Sequence, residues 1–279
     1  MIARMRELTA EVAARPEALL GEAPLWDAAH DCLVWTDILA GRVHLTSGRT
    51  YEVGTEVGAA LPAEGGGWLL AVRDGFATLD EDGTLTPLLD FVPAGMRCND
   101  AKCDPAGRAW AGTVARGEQP VTGGLHRLDP GPGVTRVLDT GLANGLGWSP
   151  DGGTMWFADT LTGVITGYGY DDGELGPVRA RLAIDREEGW PDGLCVDADG
   201  CLWIGLWGAG QVRRHTPDGR LDTVVRVPAS RVTSCAFVGS ALYVTTARVG
   251  LADPGPLDGA LFAVETATQA PPATPWRRL

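Results

Sequence analysis

A short pattern recurs through this chain and limits its possible folds more than any other feature. The stretch Trp190-Pro191-Asp192-Gly193-Leu194-Cys195-Val196-Asp197-Ala198-Asp199-Gly200-Cys201-Leu202-Trp203 reads as a loop, an apolar strand, a tight turn and a second apolar strand. Asp and Gly tolerate the positive φ that a short hairpin requires, while Leu, Val and Trp suit a pleated surface. Asn144-Gly145-Leu146-Gly147-Trp148 opens a second copy with one extra turn residue, and Asn99-Asp100-Ala101-Lys102-Cys103 opens a third without it. A looser copy begins at Glu22-Ala23-Pro24-Leu25-Trp26, and the weakest lie at 65–72 and 234–244. That makes six units, with Asn99, Asn144 and Asp192 in one register, Glu22 near the same level, and Val57 and Gly58 there in the second unit.

Repeats of roughly 40 to 50 residues, each holding several short strands, mark a β-propeller. The fold class expected is therefore all-β, a six-bladed propeller forming one domain over residues 1–279, with 269–279 a peripheral or frayed Pro-rich tail. In such a ring the innermost strand of each blade lines a central channel. Side chains placed just before that strand then converge at one end of the axis, however far apart they lie in sequence. Leu8, Ala10 and Val12 alternate with polar residues, which predicts an N-terminal strand that pairs with the last blade and closes the ring.

Charge narrows the partners. A formal net charge of −13 opposes nucleic acid and anionic membrane surfaces, both of which call for a basic face. No segment approaches a membrane span and residues 1–14 hold no continuous apolar run, so a cytoplasmic protein is expected, monomeric or a weak homodimer. The six cysteines form no C-x-x-C pair and read as small buried hydrophobes that stay reduced. Histidines 30, 44, 126 and 215 are scattered and read as surface or turn residues. No G-x-S-x-G elbow is present, and Ser149 and Ser234 have no evident histidine partner.

The converging oxygens carry the chemistry. Glu, Asp and Asn supply hard donors, which suit calcium, magnesium or manganese better than a thiol-seeking metal. Taken one at a time, each Asn or Asp is equally a turn former. Four units with oxygen side chains near one level weaken the turn-former reading, and spacing alone leaves it level with a cation site. The tryptophans at 35, 110, 156 and 203 read as blade-packing anchors, whereas Trp190 and Trp207 are placed to line the channel mouth.

Leu20-Gly21-Glu22-x-Pro24-Leu25-Trp26, Arg97-x-Asn99-Asp100-x-Lys102-x-Asp104-Pro105-x-Gly107-Arg108, Asn144-Gly145-Leu146, Pro191-Asp192-Gly193-Leu194 and Arg231-Val232-Thr233-Ser234-Cys235-Ala236-Phe237 together resemble the senescence-marker-protein, gluconolactonase and regucalcin family. The resemblance spans nearly the whole chain. It implies a six-bladed, metal-dependent enzyme that opens sugar lactones such as gluconolactone or xylonolactone. It also implies Glu22, Asn144 and Asp192 as metal ligands, and Arg97 and Asn99 as substrate contacts. Calcium is the first candidate ion, with zinc, manganese, magnesium and iron as alternatives. An acidic substrate contact of the family falls at Gly117, which a one-residue adjustment would give to Glu118 as a third substrate contact, and Ala23 stands where the family often has Gly. On this reading the ion acts as a Lewis acid on the lactone carbonyl, Arg97 and Asn99 orient the ester, and either Asp192 or hydroxide on the ion takes the proton from the attacking water. Two further readings use the same scaffold: a metal-dependent phosphotriester or aryl-ester hydrolase, and a non-catalytic calcium-binding propeller.

Overall fold

Short runs of Val, Leu, Ile, Ala and Trp, punctuated by Gly and Asp, leave the chain little choice but strands joined by tight turns. The computed structural model describes residues 5–117, 122–131 and 133–278, and these form six sheets, five of four strands and one of five. Each sheet is a blade. Their inner strands are Gly21–Asp27, Val57–Pro62, Met96–Cys103, Ala143–Trp148, Trp190–Val196 and Val232–Val238. The only helical element among the described residues is a 3-10 turn at Arg186–Glu188. No helix among them is long and apolar enough to cross a membrane.

The ring closes differently from the single N-terminal strand expected. The segment breaks at Ala10 into two strands. Arg6–Thr9 joins blade five, pairing in parallel with Leu221–Arg226, and Glu11–Ala14 completes blade six, pairing antiparallel with Leu261–Glu265. The break lets Ala10 N–H bond to the Arg226 carbonyl, so one short segment staples two neighbouring blades and covers both their edges.

Blade packing rests on buried tryptophans tied to buried carboxylates. Trp68, Trp110 and Trp203 are fully buried, and their indole N–H groups donate to Asp27, Asp104 and Asp197 at 3.0, 3.4 and 2.9 Å. The other oxygen of each Asp accepts from turn backbone, as Asp197 Oδ1 does from Asp199 N and Cys201 N. A buried carboxylate is tolerable only when satisfied in this way. All six cysteines are free, and Cys98 points its thiol at the Gly75 carbonyl in blade two, away from the channel. His126 and His215 differ from expectation: both are buried, because each sits on a strand, at Gly123–Asp129 and Gln211–His215.

The tail lies outside the blades but does not fray. Gln269 O accepts from Ala198 N, Trp276 exchanges bonds with Pro62 O and Glu64 N, and Arg277 N donates to Gly107 O. It therefore crosses from blade five to blades two and three. Trp276 is buried, and residues from Ala270 to Thr274 line a cavity of about 340 Å³ at the end of the channel where the inner strands finish.

Candidate active site

The opposite end of the channel, where the inner strands begin, holds a cavity of about 600 Å³. Its floor is built by a feature repeated in every blade: each inner strand slips register against its neighbour at this level. The slips fall between Glu22 and Leu25, Val57 and Ala59, Cys98 and Ala101, Ala143 and Leu146, Pro191 and Leu194, and Val232 and Cys235. A bulge frees backbone from the ladder and re-aims side chains, which here are the ones placed at the channel mouth.

Glu22, Arg97, Asn99, Asn144 and Asp192 all line this one cavity. Glu118 lies outside the described residues. Arg97 Nη1 donates to Asn99 Oδ1 at 2.7 Å, and Asn99 Nδ2 donates to the Ala143 carbonyl at 2.9 Å and to Asn144 Oδ1 at 3.1 Å. Asn144 Nδ2 donates to Thr160 Oγ1 at 3.0 Å, and that hydroxyl donates to Pro191 O at 2.7 Å, one residue before Asp192. The chain of bonds fixes Asn144 with its nitrogen toward Thr160 and its oxygen toward Asn99. Asp37 accepts from Leu19 N and Leu20 N, and Asp159 accepts from Gly141 N and Leu142 N. These two carboxylates hold the loops that deliver Glu22 and Asn144.

Electrostatically the floor carries excess negative charge. Burial, and then the charge of Asp100, push the Glu22 carboxyl from 4.5 up to about 8. Burial, reinforced by Glu22 and Asp100, holds Asp192 well above the usual carboxylate range, with Arg97 pulling the other way. Asp100 is the residue that reading the sequence missed. It is fully buried, burial raises its pKa, and neither carboxylate oxygen has a hydrogen-bond partner. Beneath the site Lys102 ties three inner strands together through the carbonyls of Leu146 and Leu194.

Two buried carboxylates and an amide oxygen, arriving on three separate strands with uncompensated charge, suit a divalent cation with oxygen preference. Among the described residues there is no cluster of three or more His, Cys, Asp or Glu placed to hold a metal ion. The candidate centre therefore depends on the Asn144 amide for its third protein donor. Arg97 and Asn99 stand beside these groups, where a purely structural ion would need no polar neighbours.

Residues 20–248 match the family model described as SMP-30/Gluconolactonase/LRE-like region. The chain is 34% identical over 263 residues to regucalcin of Danio rerio, covering 88% of this chain and 89% of that protein. It is 35% identical over 274 residues to 6-deoxy-6-sulfogluconolactonase of Pseudomonas putida, covering 91% and 94%. A calcium-binding protein, regucalcin from Agrobacterium tumefaciens, superposes with a TM-score of 0.92 at 28% identity over the whole of both chains.

Proposed function

The chain belongs to the SMP-30/gluconolactonase/LRE-like family, and from that premise we propose that it is a divalent-metal-dependent hydrolase that opens a sugar lactone to its hydroxy acid. The observation that carries this reading is the convergence of Glu22, Asn144 and Asp192 with Arg97 and Asn99 around one cavity. Glu22, Asn144 and Asp192 would hold the cation, calcium first, which supplies Lewis acidity at the carbonyl oxygen when bound. The planar fork of Arg97 grips ring or hydroxyl oxygens and orients the ester. The Asn99 amide donates to the Ala143 carbonyl and to the Asn144 oxygen, and on this reading it gives up one of those bonds to a substrate oxygen. Asp192 takes the proton from the water that attacks the carbonyl carbon. The C–O bond of the ring then breaks, and the leaving alkoxide takes the proton that Asp192 removed from the water.

The test is hydrolysis of glucono-δ-lactone, xylonolactone and a neutral phosphotriester by protein stripped with chelator and then reloaded. Lactone opening that falls at least about 100-fold on stripping and returns with cation supports the reading, since polarising the reacting carbonyl is worth several kcal/mol. Chelator-insensitive opening removes the metal role. Cation-dependent phosphotriester turnover without lactone turnover would move the chemistry to phosphoryl esters. Saturable cation binding that stabilises the fold with no turnover would leave a structural ion.

A further inference from the structure

Two thiols meet where the inner strands of blades five and six press together. A Cβ on Gly193 would lie 2.9 Å from Ser234 Cα, so no side chain separates the backbones there, and just beyond it Cys195 Sγ stands 3.8 Å from Cys235 Sγ. The two cysteines differ in access. Cys235 is fully buried, its thiol is also aimed at the Trp203 carbonyl at 3.5 Å, and burial pushes that thiol well above its ordinary range. Cys195 is half-buried rather than buried, and together with Lys102 it lines the cavity of about 340 Å³ at the tail end of the channel. The Lys102 ammonium donates to the carbonyl of Leu194, the residue before Cys195, and Asp197, two residues after it, is paired with Arg214 at 2.7 Å. A partly exposed thiol beside an ammonium is the setting in which cysteine reacts with oxidants.

We propose that Cys195 and Cys235 are a dithiol that peroxides oxidise, closing to a disulfide that clasps the inner strands of blades five and six. The Cys195 thiolate attacks one oxygen of hydrogen peroxide and the O–O bond breaks; the hydroxide that leaves takes the proton Cys195 gave up, and the sulfur becomes a sulfenic acid. The Cys235 sulfur then displaces the hydroxyl, the S–S bond forms, and the hydroxyl departs as water with the Cys235 proton. Two thiols have lost two electrons and two protons, and one peroxide has become two waters. Closing 3.8 Å to the roughly 2 Å of a disulfide moves each sulfur by under about 1 Å. The N-terminal segment already joins the outer strands of these two blades through Arg6–Thr9 and Glu11–Ala14, so the disulfide ties their inner strands as well. It also closes the chain between residues 195 and 235 into a loop, and a loop held shut in the unfolded state favours the folded one. This chemistry is independent of whether the other end of the channel opens a lactone.

The experiment treats the folded full-length protein with graded amounts of hydrogen peroxide, blocks the remaining thiols with N-ethylmaleimide after unfolding, and reads intact mass, peptide map and Tm. The expected result is a single chain with four blockable thiols in place of six, a peptide pair joined through Cys195 and Cys235, and a Tm higher by about 5 °C or more; a thiol reductant reverses all three. Cys103→Ser, which removes the other half-buried thiol of the same cavity, should link as the parent does. Cys235→Ala should stop at the Cys195 sulfenic acid, which dimedone captures. Six thiols left free, a linkage through other cysteines, or a Cys195 that gains oxygen in the parent without linking each overturns the dithiol, and a linked protein whose Tm is no higher overturns the clasp. All of these are read on the parent protein, whether or not either variant folds.

Discussion

On the proposed mechanism Asp192 both holds a cation and accepts a proton, and a carboxylate shared with a divalent ion is a weaker base than a free one. Asp192→Asn separates the two demands, because the amide keeps an oxygen donor and loses the basicity. A positioned base is worth about 10²–10⁴-fold, so turnover should fall by that much while calorimetry still detects cation binding; full turnover with cation retained would assign the proton to another acceptor. Glu22 gives a second prediction. Its pKa in the folded protein is raised from 4.5 to about 8. The cation-free folded state therefore keeps a proton that the unfolded chain sheds in that window, so this contribution to stability is full below 4.5 and is lost as pH rises toward 8. Melts of chelated protein should show Tm falling from pH 5 to pH 8, with added calcium raising Tm more at pH 8, where the cation no longer displaces a proton; a flat Tm would mean that Glu22 ionises freely in its site. Glu22, Asn99, Asn144 and Asp192 could be placed at one level from the sequence because repeated turn residues fix a register. Asp100 could not, since strict alternation sends it to the opposite face from Asn99, and the bulge between Cys98 and Ala101 leaves no local mark.

The inner strands act as one element repeated six times, and small residues set how closely they approach. A Cβ on Gly145 would lie 2.5 Å from Leu194 N and 2.6 Å from Asp192 O. Those are backbone atoms of the neighbouring inner strand and cannot swing aside. Gly145→Ala should therefore push Trp190–Val196 outward, lowering stability by about 1–3 kcal/mol and reducing turnover by displacing Asp192. Gly176 belongs to the outermost strand of the same blade, where an added Cβ would meet the Gly169 carbonyl at an ordinary 3.5 Å, and Gly176→Ala should stay within about 0.5 kcal/mol of the parent. Denaturant midpoints and kcat/KM for both variants check the contrast; equal losses would mean that blade-to-blade contact does not position the site. Hairpins of this kind were legible because Asp-Gly turns are local chemistry. The split of the N-terminal segment was not, because its alternation runs unbroken through Ala10 and only the gap between blades five and six divides it.

Across the whole molecule the two ends of the channel have separate tasks. One end gathers the acidic floor, and the other is bridged by the tail, whose backbone bonds reach from Ala198 in blade five to Pro62 and Gly107 in blades two and three. A ring of blades can open at any interface, and a strap across the ring resists opening at all of them together. The Pro-rich composition of 269–279 gives no hint of this, because the docking surface for Trp276 is made by residues far away in the sequence, including Ala63, with which it forms a parallel bridge. Trp276 is 4% exposed and packs in the same apolar cluster as Trp68 and Leu61. Trp276→Ala removes that anchor and should destabilise the fold by about 3–5 kcal/mol. The acidic floor stands at the other end of the channel, so kcat/KM of the remaining folded protein should match the parent. Urea unfolding followed by lactone assays well below the midpoint measures both quantities. A variant that stays as stable as the parent would show the strap to be ornamental to the ring, and one that folds but loses turnover would show that the far end of the channel shapes the near one.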